Sequence, residues 1–145
     1  MNELGQAKTP WHLWVVGIVA TLWNSGGVAS YMATETGNLE AMGMTAEQIA
    51  YFSSFPAWAV AFWALGVWGC FIGSLALLFR SKWAVWLFGI SIVGLFGTTY
   101  YQQVASTFPE SMQTTGQTLF AAFIWVITIA LFFYASRMTR AGVLK

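Results

Sequence analysis

The sequence predicts an all-α, integral membrane four-helix transmembrane bundle with both termini cytoplasmic, and three observations predict it. The 145-residue chain is 58% hydrophobic and only 8% charged, whereas a soluble domain carries about 25% charged residues. Four apolar segments each reach the roughly 20 residues that a spanning helix needs, and none contains Asp, Glu, Lys or Arg. Every Lys and Arg falls on one side of the topology that follows.

The spans are Trp11–Tyr31, Pro56–Phe79, Trp83–Tyr101 and Gln117–Ser136, and the whole chain reads as one transmembrane domain. Trp11–Val28 is longer than a signal-peptide core of about 7–15 residues and rich in Trp. It reads as a retained span, although Val28-Ala29-Ser30 resembles a cleavage site.

Lys8 precedes the first span, Arg80 and Lys82 lie in the short second connection, and Arg137, Arg140 and Lys145 follow the fourth span. The first connection carries Glu35, Glu40 and Glu47 and the third carries Glu110, without a basic residue in either. Basic residues mark the cytoplasmic side, because Lys and Arg are costly to move across a membrane. Trp11, Trp14, Trp83 and Trp86 gather at that boundary. Tyr31, Phe55, Trp58, Tyr100 and Tyr101 gather at the opposite one. Such rings suit the headgroup level because they pair an apolar body with a polar tip. Trp63, Trp68 and Trp125 lie deeper, packed between helices or facing lipid.

The first external loop, Met32–Phe55, contains Thr45-Ala46-Glu47-Gln48, a capping-box pattern. It predicts a short interfacial helix over Thr45–Phe52 that presents Ile49, Phe52 and Tyr51 to the interface. Pro56 suits the first turn of the next helix, where a missing N–H costs nothing. The second connection is so short that the second and third spans must form an antiparallel pair.

Within a bilayer, helices associate where small residues let backbones approach. Ala59, Gly66, Gly69 and Gly73 share one face of the second span, and Gly69–Gly73 is a GxxxG pair. Ser91, Gly94 and Thr98 share a face of the third, and Ala121, Thr128 and Ala135 one of the fourth. These are expected to be packing stripes.

The run TLWNSGGVASY, Thr21–Tyr31, sets polar groups inside the first span. At about 1.5 Å per residue, Asn24 lies roughly 20 Å from Trp11, in the half of the bilayer remote from the basic side. Gly17, Thr21, Asn24, Val28 and Tyr31 form one stripe, which should look into the bundle because lipid offers an amide no partner. Two accounts of Asn24 are open. Its amide bonds to Thr98, Tyr100 or Thr118 and sets helix register. Alternatively, Ser25, Gly26 and Gly27 break the helix, and Asn24, Tyr31 and Tyr100 line a small polar cavity. The candidate polar site is therefore Asn24, Ser25, Tyr31, Thr98 and Tyr100.

Other chemistry finds little footing. Ion-coupled transport usually uses an intramembrane ionisable group, and the spans hold no carboxylate. His12, the single histidine, reads as interfacial and snorkelling. Cys70, the single cysteine, reads as a small inert hydrophobe, and Ser74 has no base within reach along its helix. No metal or cofactor is expected, and the chain does not read as an enzyme.

The runs PWHLWVVG, LWN, FPAWAVAFWALGVWG and SLALLFRSKWAV, at Pro10–Gly17, Leu22–Asn24, Phe55–Gly69 and Ser74–Val85, carry a resemblance. They resemble a family of small bacterial inner-membrane proteins of about this length, often labelled sugar transporters. The resemblance covers most of the chain and is strongest in the first three spans. It implies a four-helix inner-membrane protein and supplies no site residues.

Two functions stay open. One is a non-enzymatic accessory or self-associating subunit, with the lipid bilayer and a homo-oligomer or larger membrane complex as its partners. The other is a facilitative pathway for a small uncharged, sugar-like solute, working as an oligomer. A net charge near zero gives no sign of nucleic-acid binding.

Overall fold

A computed structural model describes residues 8–106 and 109–145. Its five α-helices are α1 (Trp11–Glu35), α2 (Ala46–Ser53), α3 (Ala57–Leu78), α4 (Trp83–Tyr100) and α5 (Thr115–Arg140). Four of them are long and apolar enough to cross a membrane, α4 together with the π-turn that extends it to Ala105. The chain is an all-α four-helix bundle, and its long apolar helices mark a multi-pass membrane protein. No strand forms among the described residues.

Helix ends differ from the expected spans because hydrogen bonding continues past the apolar boundary. Helix α1 runs four residues beyond Tyr31 to Glu35, and α5 extends from Thr115 to Arg140. The Thr114 hydroxyl caps α5 by accepting from Gln117 N at 3.2 Å. Pro56 is the N-cap of α3 rather than its first helical residue.

Helices α3 and α4 form the tightest pair, at the predicted glycines. A Cβ on Gly94 would fall on the backbone of Gly66 and the Phe62 carbonyl. One on Gly69 would lie 3.0 Å from Leu87 O, and one on Gly73 would lie 3.0 Å from the Phe88 ring. Gly97 lies against the Phe62 ring in the same way. Three residues beyond Gly94, it continues a stripe that the sequence reading assigned to Thr98. On α5, Thr128 and Ala135 are buried, but Ala121 is exposed. The first half of α5 does not share the packing of the second, so the seven-residue repeat stops short of it.

The two ends of the bundle differ in charge. At the basic end, Arg80 donates to Thr9 Oγ1 at 2.8 Å. There the chain after α5 folds back: Val143 and Leu144 are buried, Lys145 N donates to Arg80 O, and Lys82 N donates to Lys145 O. Trp11, Trp83 and Trp86 are exposed at this end.

At the acidic end, Thr45 and Gln48 form the complete capping box on α2. Ile49 and Phe52 are half-buried, but Tyr51 turns inward instead of to the interface. It packs with Phe55, Ala59, Tyr101 and Met112 in a second, smaller core. Phe55 and Tyr101 are consequently buried rather than presented at headgroup level. The reason is tertiary: α2 and the connection before α5 cap the end of the bundle, tied by Tyr51–Ser106 at 3.0 Å and Ser111 to Glu47 at 2.8 Å.

Candidate functional site

The polar stripe of α1 faces the bundle. Gly17 and Asn24 are buried, and Thr21, Val28 and Tyr31 are half-buried. The Leu78 side chain packs against Gly17, and a Cβ there would lie 2.5 Å from it. Helix α1 is continuous through Ser25, Gly26 and Gly27.

Asn24 is 9% exposed, and its amide reaches α3. Asn24 Nδ2 donates to Ser74 Oγ at 2.9 Å and to Cys70 O at 3.3 Å. These partners replace the expected Thr98, Tyr100 and Thr118, whose hydroxyls are placed elsewhere. Thr98 donates to Gly94 O at 2.9 Å, Thr118 donates to Thr114 O at 3.2 Å, and Tyr100 is half-exposed. Ser25 is exposed and donates to Leu22 O at 2.7 Å. Tyr31 meets Trp63 edge to face, with ring centroids 5.3 Å apart.

From Asn24 the polar contacts continue across the bundle. Ser74 Oγ donates to Cys70 O at 2.8 Å, and Ser91 Oγ donates to Gly66 O at 2.6 Å. Cys70 Sγ and Ser91 Oγ are 2.8 Å apart. A hydroxyl has one proton, and that of Ser91 is engaged by Gly66, so the thiol is the donor in this pair. Thr128 Oγ1 lies 3.8 Å from Cys70 Sγ and donates to Ile124 O at 2.8 Å. Asn24, Ser74, Cys70 and Ser91 thus link α1, α3 and α4 through buried polar contacts, and Thr128 of α5 lies beside the Cys70 thiol. Every fully buried side-chain nitrogen and oxygen among the described residues has a hydrogen-bond partner.

Sequence reasoning passed over Ser74 and Cys70 as partners of Asn24. The available signal was their spacing: Cys70 and Ser74 are one turn apart beside Gly69 and Gly73, on the packing side of α3. A small polar group there meets a neighbouring backbone instead of lipid.

Chemically, the chain of contacts is suited to holding helices in register. The hydroxyls of Ser74, Ser91 and Thr128 are all committed to main-chain carbonyls. His12 lies apart, with Nδ1 2.6 Å from the Tyr134 hydroxyl, tying α1 to α5. Its ring is half-buried and paired across helices, where the sequence suggested a snorkelling side chain. No group of three or more His, Cys, Asp or Glu suited to a metal ion occurs among the described residues. No family model matches the chain, and neither a curated protein nor a solved structure matches it.

Proposed function

We propose that this chain is a non-enzymatic subunit of the bacterial inner membrane that acts by lateral association, with itself or within a larger membrane assembly. The observation that carries this reading is the outward face of α1. Leu22, Ser25, Gly26 and Ala29 are exposed there, and a Cβ on Gly26 would meet nothing within 4 Å. Small residues on an outward face leave a shallow furrow that suits a second helix, since close backbone approach is what joins helices in lipid. The first half of α5 supports the same reading, because every residue from Thr115 to Phe123 is exposed.

The basic residues at one end of the bundle support cytoplasmic termini. The size and span count accord with the small inner-membrane family that the sequence resembles. A facilitative pathway for a sugar-like solute has less support, because α1 is unbroken at Ser25–Gly27 and the Asn24 amide is engaged by α3.

Disulfide trapping in native membranes tests the proposal. Ala29→Cys should give a cross-linked homodimer, or a cross-link within a larger complex of defined size on a native gel. Phe133→Cys, on the exposed side of the other half of α5, should not. A chain that migrates as a monomer and gives no Ala29→Cys product would overturn the reading. Reporter fusions after Glu40 and Arg140 should report opposite sides of the membrane.

A further inference from the structure

Between α4 and α5 lies an open groove of about 400 Å³. Val85, Trp86, Gly89, Ile90, Val93 and Phe132 line it, and its walls are almost wholly apolar. The missing side chain of Gly89 makes the depth: a Cβ there would meet only Phe132, at 3.6 Å. The α4 side runs from Val85 to Val93, about 12 Å at 1.5 Å per residue. It starts near the basic end and stops toward mid-membrane.

The basic end of the groove is charged. Lys82, exposed, lies one turn before Trp86 on the same side of α4. On the antiparallel α5, Ser136 and Arg140 follow Phe132 at intervals of four, and Arg140 is exposed. Since Gly89 faces Phe132, Lys82 and Arg140 come to the same level. An apolar trough whose basic end lies toward the level of two exposed cations matches one kind of membrane molecule.

We propose that this groove is a binding site for an anionic phospholipid. One acyl chain lies along Gly89 between Trp86 and Phe132, and the phosphate lies between Lys82 and Arg140. The charge complementarity selects the headgroup, as basic residues at a membrane surface attract anionic lipids. The missing Cβ at Gly89 selects for an acyl chain by leaving room for it.

Native mass spectrometry of the full chain, released from detergent with either palmitoyl-oleoyl phosphatidylglycerol or phosphatidylcholine, tests the site. The wild type should retain one phosphatidylglycerol about tenfold more than phosphatidylcholine. Gly89→Leu fills the groove and should lose retention of both lipids, while its helical signal and thermal midpoint in lipid-free detergent stay unchanged. The Lys82→Gln/Arg140→Gln double variant leaves the groove intact and serves if Gly89→Leu does not fold. It should bind phosphatidylglycerol no better than phosphatidylcholine. Equal retention of the two lipids by the wild type, or undiminished phosphatidylglycerol retention by folded Gly89→Leu or by the double variant, would overturn the proposal. So would a wild-type dimer without lipid that Gly89→Leu abolishes, because the groove would then belong to a second copy.

Discussion

Asn24 Nδ2 donates to Ser74 Oγ at 2.9 Å, and this bond places the polar stripe of α1 against the small-residue face of α3. The Ser74 hydroxyl passes its own proton to Cys70 O, so it is free to accept. A polar side chain in a span thereby donates to a neighbouring helix.

The Asn24–Ser74 pair should show a modest coupling energy. Interhelical hydrogen bonds in membranes average about 0.6 kcal/mol and reach at most about 1.7. A double-mutant cycle of Asn24→Leu and Ser74→Ala, read by reversible unfolding in mixed micelles, should give a value in that range. A coupling indistinguishable from zero would remove the bond from the energetics of the fold.

Gly94→Ala should be among the most damaging conservative changes in the protein. Its Cβ would meet the Gly66 and Phe62 backbone, which cannot rotate away as a side chain can. Forcing α3 from α4 should cost about 1–3 kcal/mol. Gly116→Ala is the control, since Thr114 Oγ1 at 3.9 Å is the nearest group its Cβ would meet. There, in the first turn of α5, the change should be close to neutral. Equal effects at the two positions would contradict the close α3–α4 contact.

Arg80→Gly should be more stable than Arg80→Ala by about 1 kcal/mol, the strain of a left-handed backbone on a residue with a Cβ. The same helix-ending motif occurs three times among the described residues, and after α1 Gly37, with φ 73°, bonds through its N to Thr34 O while Asn38 N bonds to Ala33 O. After α5, Gly142 N bonds to Thr139 O and Val143 N to Met138 O; after α3, Arg80 N bonds to Leu77 O and Ser81 N to Ala76 O. Gly142 has φ 78°, and Arg80 has φ 57°. Both variants lose the contact with Thr9, so their difference isolates the backbone, and thermal unfolding in detergent measures it.

Stability should fall in alkali in part through Tyr51. Burial pushes its phenol above the ordinary value, and the nearby Tyr101 adds to this, while the Ser106 hydrogen bond offsets part of it. A raised folded value means the unfolded chain ionises first, at about pH 10. The contribution is therefore complete below that pH and is lost as pH rises through the folded value. Tyr51→Phe should flatten the decline above about pH 10, measured as thermal midpoint against pH. An unchanged slope would place the alkaline loss at other groups.

Much of the fold was legible before any coordinates. Span number and the α3–α4 glycine contact follow from local rules. A bilayer excludes charge, and only small residues let two backbones touch. The capping box on α2 was equally legible, since Thr45 and Gln48 satisfy each other within one turn. The inward face of α1 followed from the period of its polar residues.

The partners of that face did not follow. Asn24 could reach any helix that tertiary packing set beside it, and linear spacing carries no information about which one. Tyr51, Phe55 and Tyr101 read as interfacial by type, and only the closing of α2 over the bundle's end made them a core. By itself the sequence determined which segments are long and apolar enough to cross a membrane, how basic and acidic residues segregate, and which helix faces must pack, because these depend on residue type and helical period. The tertiary structure alone decided that Asn24 meets Ser74, that the first half of α5 stays exposed with Trp23 against its Phe120 and Phe123, and that a groove opens beside Gly89, because these depend on which helices packing sets side by side.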